Sequence, residues 1–244
     1  MSPRVTGAVA LRVLTQLRRD PRTVALLIGV PSLLIVLLHE LFAGRELVFQ
    51  HVGGPLLGLF PFVSMFVVTS VTMLRERTTG TLERLMTLPL AKLDLLAGYG
   101  AAFAAMAAVQ ASVVSAIAFA WLDLQTDGPV WAVVLLAIGN AVLGMALGLF
   151  ASAFASTEFQ AVQFMPAIVL PQLLLCGLFV ARSEMADWLR VVSAALPLTY
   201  AYDALAHAIA DEFDARFVLD VCVVLGATML ALLLGALTLR RRTA

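Results

Sequence analysis

Arg75-Glu76-Arg77-Thr78-Thr79-Gly80-Thr81-Leu82-Glu83-Arg84 separates two long apolar runs, and Leu88-Pro89-Leu90 closes the interruption. A turn between two membrane helices needs only enough polar residues to reverse direction. This block is far denser in charge than that, with Arg75, Glu76, Arg77, Glu83 and Arg84 close together. Thr81 to Met86 reads as a short amphipathic helix lying at the membrane surface. The block is therefore expected to receive something that docks from outside the bilayer.

The apolar runs on either side set the class of protein. The chain of 244 residues is 61% hydrophobic and 13% charged, with mean hydropathy +0.98. Soluble domains carry about 25% charged residues, so this is an all-α, polytopic membrane protein. A formal net charge of +0 argues against a nucleic-acid partner. Lys92 is the only lysine among many arginines, which together with the alanine content suggests a GC-rich bacterial genome and says nothing of mechanism. Cys176 and Cys222 sit in separate apolar runs without CxxC spacing and read as packing residues, with a disulfide left open. The arginine-rich first 22 residues contain no uninterrupted apolar run, which argues against a cleavable signal.

Crossing a hydrocarbon core of about 30 Å takes about 20 apolar residues. Six segments qualify, at roughly 23–42, 56–75, 95–121, 130–155, 161–181 and 216–239. Gly53, Gly54 and Pro55 fall in the loop before the second span or at its start. An even number of spans puts both termini and the 76–91 loop on one side. That side holds Arg4, Arg12, Arg18, Arg19, Arg22, Arg75, Arg77, Arg84, Lys92 and Arg240 to Arg242, whereas most acids fall on the other. The positive-inside rule then predicts cytoplasmic termini.

Residues 1–22 predict an interfacial amphipathic helix. Val5, Val9, Val13 and Leu17 recur on one face, and Arg12 and Arg19 lie on another, at the lipid headgroups. Asp20-Pro21 supplies a cap and a first-turn proline for the helix that follows. On the far side, residues 182–215 hold apolar runs too short to span. They predict two short external helices broken at Pro197.

This arrangement resembles the permease subunit of ABC-2 type exporters, a superfamily that includes daunorubicin-type drug exporters and polysaccharide exporters. The family's coupling block reads as an acid, Gly-Thr, a second acid and a proline before the third span. Glu76, Gly80-Thr81, Glu83 and Pro89 match it in order, and Leu196-Pro197-Leu198-Thr199-Tyr200 matches the family's Leu-Pro-x-x-Tyr segment. The resemblance implies a single transmembrane domain over 1–244, a second permease copy, and a separate nucleotide-binding ATPase that carries ATP and Mg. It also implies that Arg75, Glu76, Gly80, Thr81, Glu83, Arg84 and Pro89 couple to that ATPase. In agreement, the chain has no G-x-x-x-x-G-K-[ST] phosphate loop.

Other polar residues admit two readings. Asn140, Gly144, Gly148 and Ser152 form a small-residue stripe for close helix packing, within the subunit or at a dimer seam. Phe62, Phe66, Gln110 and Gln163 are candidates for a substrate path, with core packing as the alternative. No Lys, Arg, Asp or Glu falls in the middle of a span, which argues against an ion-coupled carrier. A non-transporting scaffold would make the 75–90 block dispensable. Asp203 and His207 read as a solvated pair rather than a metal site, and His39-Glu40 lacks the second histidine of a zinc protease. The expected function is export of an amphipathic drug or lipid across a bacterial plasma membrane.

Overall fold

The computed structural model describes residues 2–81, 84, 85 and 92–238, and every described segment of regular structure is helical. The helices are α1 (Pro3–Arg18), α2 (Pro21–Leu41), α3 (Glu46–Thr78), α4 (Lys92–Ala120), α5 (Val130–Ala151), α6 (Glu158–Phe164), α7 (Leu170–Leu175), α8 (Asp187–Ala194), α9 (Pro197–Ile209) and α10 (Ala215–Thr238). A π-helical segment, Met165–Val169, joins α6 to α7. Among the described residues six helical stretches are long and apolar enough to span a membrane. The protein is a multi-pass membrane protein.

Local chemistry explains the helix boundaries. Pro3 opens α1 and Pro21 opens α2, positions where a missing N–H costs nothing. Asp20 caps α2 by accepting from the Thr23 backbone at 3.2 Å and its hydroxyl at 2.6 Å. Those bonds hold the Asp20 carboxyl below the usual carboxylate range. Asp214 caps α10 in the same way, accepting from the N–H groups of Arg216 and Phe217 at 3.0 and 2.9 Å. Pro166 and Pro171 each remove a backbone donor from the fifth span, where the chain widens into the π-helical segment between α6 and α7.

Helix α3 is the central post. Its 33 residues run about 50 Å, well beyond the hydrocarbon core. Gly53, Gly54 and Pro55 lie inside it, so the second helix starts some ten residues earlier than the apolar pattern predicts. Helix α5 packs along α3 with almost no gap. A Cβ added to Gly144 would sit 2.2 Å from the Phe62 carbonyl oxygen, and one added to Gly148 would sit 2.5 Å from that of Phe66. The small-residue stripe is therefore spent within the subunit. Asn140 donates to the Ala201 carbonyl of α9 at 3.3 Å, and Ser152 donates to Leu149 of its own helix at 2.6 Å. The dimer-seam reading of these four positions is set aside, because no surface remains there for another chain.

The outside of the bundle is apolar where lipid would lie. Leu26, Val30, Leu33 and Leu37 of α2 are exposed, as are Leu225, Met229, Leu233 and Leu237 of α10. Trp121, Trp131 and Trp188 are also exposed and fall in the segments at the end opposite α1, the position of an interfacial aromatic belt. The two short helices expected after the fifth span are α8 and α9. Their corner is the Leu196-Pro197-Leu198-Thr199-Tyr200 segment. Pro197 starts α9, and the Thr199 and Tyr200 hydroxyls reach back to the carbonyls of Ser193 (2.8 Å) and Ala194 (2.7 Å) at the end of α8. These bonds satisfy carbonyls that a helix end leaves bare.

Candidate coupling site

The end of the bundle that carries the arginines gathers the close of α3, the whole of α1 and the starts of α4 and α6. Helix α3 stops at Thr78. Thr79 and Gly80 follow, and Gly80 adopts φ +71, a left-handed conformation that glycine enters at no steric cost. The Thr78 and Thr79 hydroxyls donate to the Arg75 carbonyl at 3.2 and 2.8 Å, closing the helix end. The chain then turns back into helix at Thr81, where the Arg84 N–H donates to the Gly80 carbonyl at 3.0 Å. Glu83, Pro89 and Leu88 to Leu90 lie outside the described residues, as do Arg240 to Arg242.

Glu76 does not face outward. It is 4% exposed, and its carboxylate accepts from Arg12 Nη2 at 3.3 and 3.2 Å and from the Tyr99 hydroxyl at 2.9 Å. Arg12 Nη1 donates to the same tyrosine oxygen at 3.2 Å. A carboxylate taken out of water is stable only when its lone pairs are satisfied, and here a cation and a phenol satisfy them. The expectation that Glu76 is a docking contact therefore needs correcting: its charge is consumed inside the subunit. Arg12, placed at the headgroups by its helix face, is instead the partner that binds α1 to α3.

Helix α1 is pinned along its length. The Ser2 N–H donates to Asp94 at 3.0 Å, and Val9, Val13 and Leu17 are buried. Gly98 of α4 passes so close to Val9 that an added Cβ would lie 2.6 Å from it. On the other flank of α3, Arg75 holds Glu158 at the start of α6 by two parallel bonds of 2.7 and 2.9 Å. Both partners are more than half exposed. Three separate helices thus grip the last two turns of α3, at Arg75 and Glu76. The turn between the fourth and fifth spans puts Glu158 beside this block on sequence grounds, but nothing in the spacing links Arg12 and Tyr99 to it. The only trace is Tyr99 itself, a hydroxyl in the apolar stretch that follows Asp94.

The proposed path residues do not come together. Phe62 and Phe66 are fully buried where α3 meets α5. Gln110 is also buried, and its amide donates to the Ser64 hydroxyl. Gln163 lies on the exposed side of α6. Packing occupies the first three, so they line no common passage in this conformation. Cys176 and Cys222 are free thiols.

The chain is 26% identical over 147 residues to ABC transporter G family member 20 of Dictyostelium discoideum, an alignment covering 60% of this chain and 20% of that protein. It is likewise 26% identical over 151 residues to the probable multidrug ABC transporter permease YbhR of Escherichia coli K12, covering 61% of this chain and 40% of the relative. The chain therefore spans well under half the length of each relative. Residues 4–210 match the family model described as ABC-2 type transporter, and the chain belongs to that family.

Proposed function

We propose that this chain is the permease subunit of an ATP-driven exporter, seated in a bacterial plasma membrane with both termini in the cytoplasm. ATP and Mg belong to a separate nucleotide-binding subunit, and a second permease copy completes the transport path. The single observation that carries this reading is the construction of the α3 end. A membrane helix projecting beyond the bilayer turns sharply at Gly80, while Arg12, Tyr99 and Glu158 brace it from three other helices. A loop that only reversed the chain would need no such bracing.

In this reading Gly80, Thr81, Glu83, Arg84 and Pro89 meet the ATPase, and Arg75 and Glu76 transmit the push. Force applied at the turn reaches α1 and α4 through Glu76 and α6 through Arg75. The apolar faces of α2 and α10 sit against membrane lipids. An amphipathic drug or lipid-like cargo suits a bundle whose described spans hold amides and hydroxyls but few charges, and the name of the Escherichia coli relative points the same way.

Purification of the detergent-solubilised protein from its native membranes tests the reading. An ATPase subunit should come down with the wild type and be lost with Gly80→Pro or Glu83→Arg. A wild type that comes down without any ATPase, under conditions that hold other membrane complexes together, overturns it.

A further inference from the structure

A second charged cluster lies at the end of the bundle away from α1, and nothing in the coupling reading uses it. Arg182, in the segment after α7, donates to Asp203 of α9 at 2.9 Å. One turn further along α9, His207 Nδ1 stands 3.4 Å from the carboxylate of Asp220, in the second turn of α10. Asp220 is 6% exposed. His207 Nδ1 is itself buried and makes no hydrogen bond.

Several of the surrounding charges are already committed, and Asp127, Asp211 and Glu212 beside the end of α9 are exposed to solvent. Arg182 is paired with Asp203, whose carboxyl burial pushes above its ordinary value against the pull of that arginine. Asp214 spends its carboxylate on the backbone at the start of α10. Asp187 and Arg190 of α8 pair with each other, and Arg216 points outward. Helix α5, also packed on α9, holds no charged residue, and on α3 the nearest ionisable groups, Glu46 and His51, are exposed. His207 is left as the only cationic partner within ion-pair distance of Asp220 among the described residues.

A buried carboxylate without a partner is strongly disfavoured. One proton shared by the pair removes the problem, either by charging the imidazole or by neutralising the acid. We propose that His207 and Asp220 form a proton-binding site that holds the last span against α9, so that acidity on that side sets how firmly the span is held. The proton bound, the pair closes the α9–α10 seam. The proton lost, a buried anion faces a neutral ring and the seam loosens. Histidine is the side chain that changes charge between about pH 5 and 8, so the seam is held at the acid end of that window and released toward the alkaline end.

Thermal unfolding of the purified full chain, followed by tryptophan fluorescence across that window, reads the site. The wild-type midpoint should fall as the pH rises. His207→Gln and Asp220→Asn should each remove most of that fall, and the double variant should be no flatter than either single one. His39 and His51 remain in every variant, so their own titration cancels in the comparison. Asp203→Asn should keep the fall. Should His207→Gln fail to accumulate, Asp220→Asn carries the same comparison alone. A wild-type slope retained in Asp220→Asn, or losses that add in the double variant, overturns the proposal.

Discussion

Arg75 and Glu158 are 83 residues apart in the chain and meet through two parallel bonds at the foot of the bundle. The pair joins the last turns of α3 to the first turn of the fifth span. Both side chains are more than half in solvent, so the bond contributes little to stability, about 0–1 kcal/mol for exposed pairs. Its value is positional, since it fixes where the fifth span starts relative to the coupling block.

That distinction is measurable. Arg75→Glu and Glu158→Arg should each shift the unfolding midpoint only slightly while lowering ATP-driven transport in the reconstituted complex. The charge-swapped double variant should regain much of the lost transport. Equal loss in singles and double would mean that the two residues act separately.

Glu76 should behave in the opposite way. Replacing it with alanine strands Arg12 and Tyr99 beside an apolar hole. Removing one partner of a fully buried pair costs about 3–5 kcal/mol, and partial exposure of Arg12 lowers the expectation to about 2–3 kcal/mol. Tyr99→Phe deletes a hydroxyl that donates to Glu76 and accepts from Arg12 but leaves the ion pair in place, and should cost about 1.5–2 kcal/mol. Denaturation in detergent ranks the two, and the ion pair should come out as the larger loss.

A third expectation concerns the packing of α5 on α3. Gly144→Ala drives a methyl group against a backbone oxygen that has no freedom to swing aside, so the cost should reach the upper part of the about 1–3 kcal/mol typical of over-packing. Gly139 lies on the same helix with open space around it, so Gly139→Ala should be neutral or stabilising by up to about 1 kcal/mol. Comparing membrane abundance and thermal midpoint of the two variants separates close packing from a general intolerance of alanine in α5.

The spans, the amphipathic first helix and the paired short helices were legible because each rests on a local signal: apolar length, period or a capping residue. The start of α3 was not, since Gly53-Gly54-Pro55 reads locally as a break and is overridden by tight packing that only small residues allow, as where Ile209 lies over Gly54. The 75–84 stretch was legible as a polar interruption between two spans, but not in what its residues touch. Glu76 and Glu83 look equivalent in sequence, and only the arrival of Arg12 and Tyr99 from distant helices turns Glu76 inward. Phe62 and Phe66 were similarly ambiguous, because an aromatic side chain in an apolar helix suits a path and a core equally well.

The most direct measurement is the ATPase pull-down carried out on three proteins together: wild type, Gly80→Pro and Glu76→Gln. The proposed function predicts that wild type and Glu76→Gln both retain the ATPase, since Glu76 is internal, whereas Gly80→Pro loses it while remaining abundant in the membrane. Retention of the ATPase by Gly80→Pro at wild-type level would contradict the assignment of the α3 turn as the coupling site.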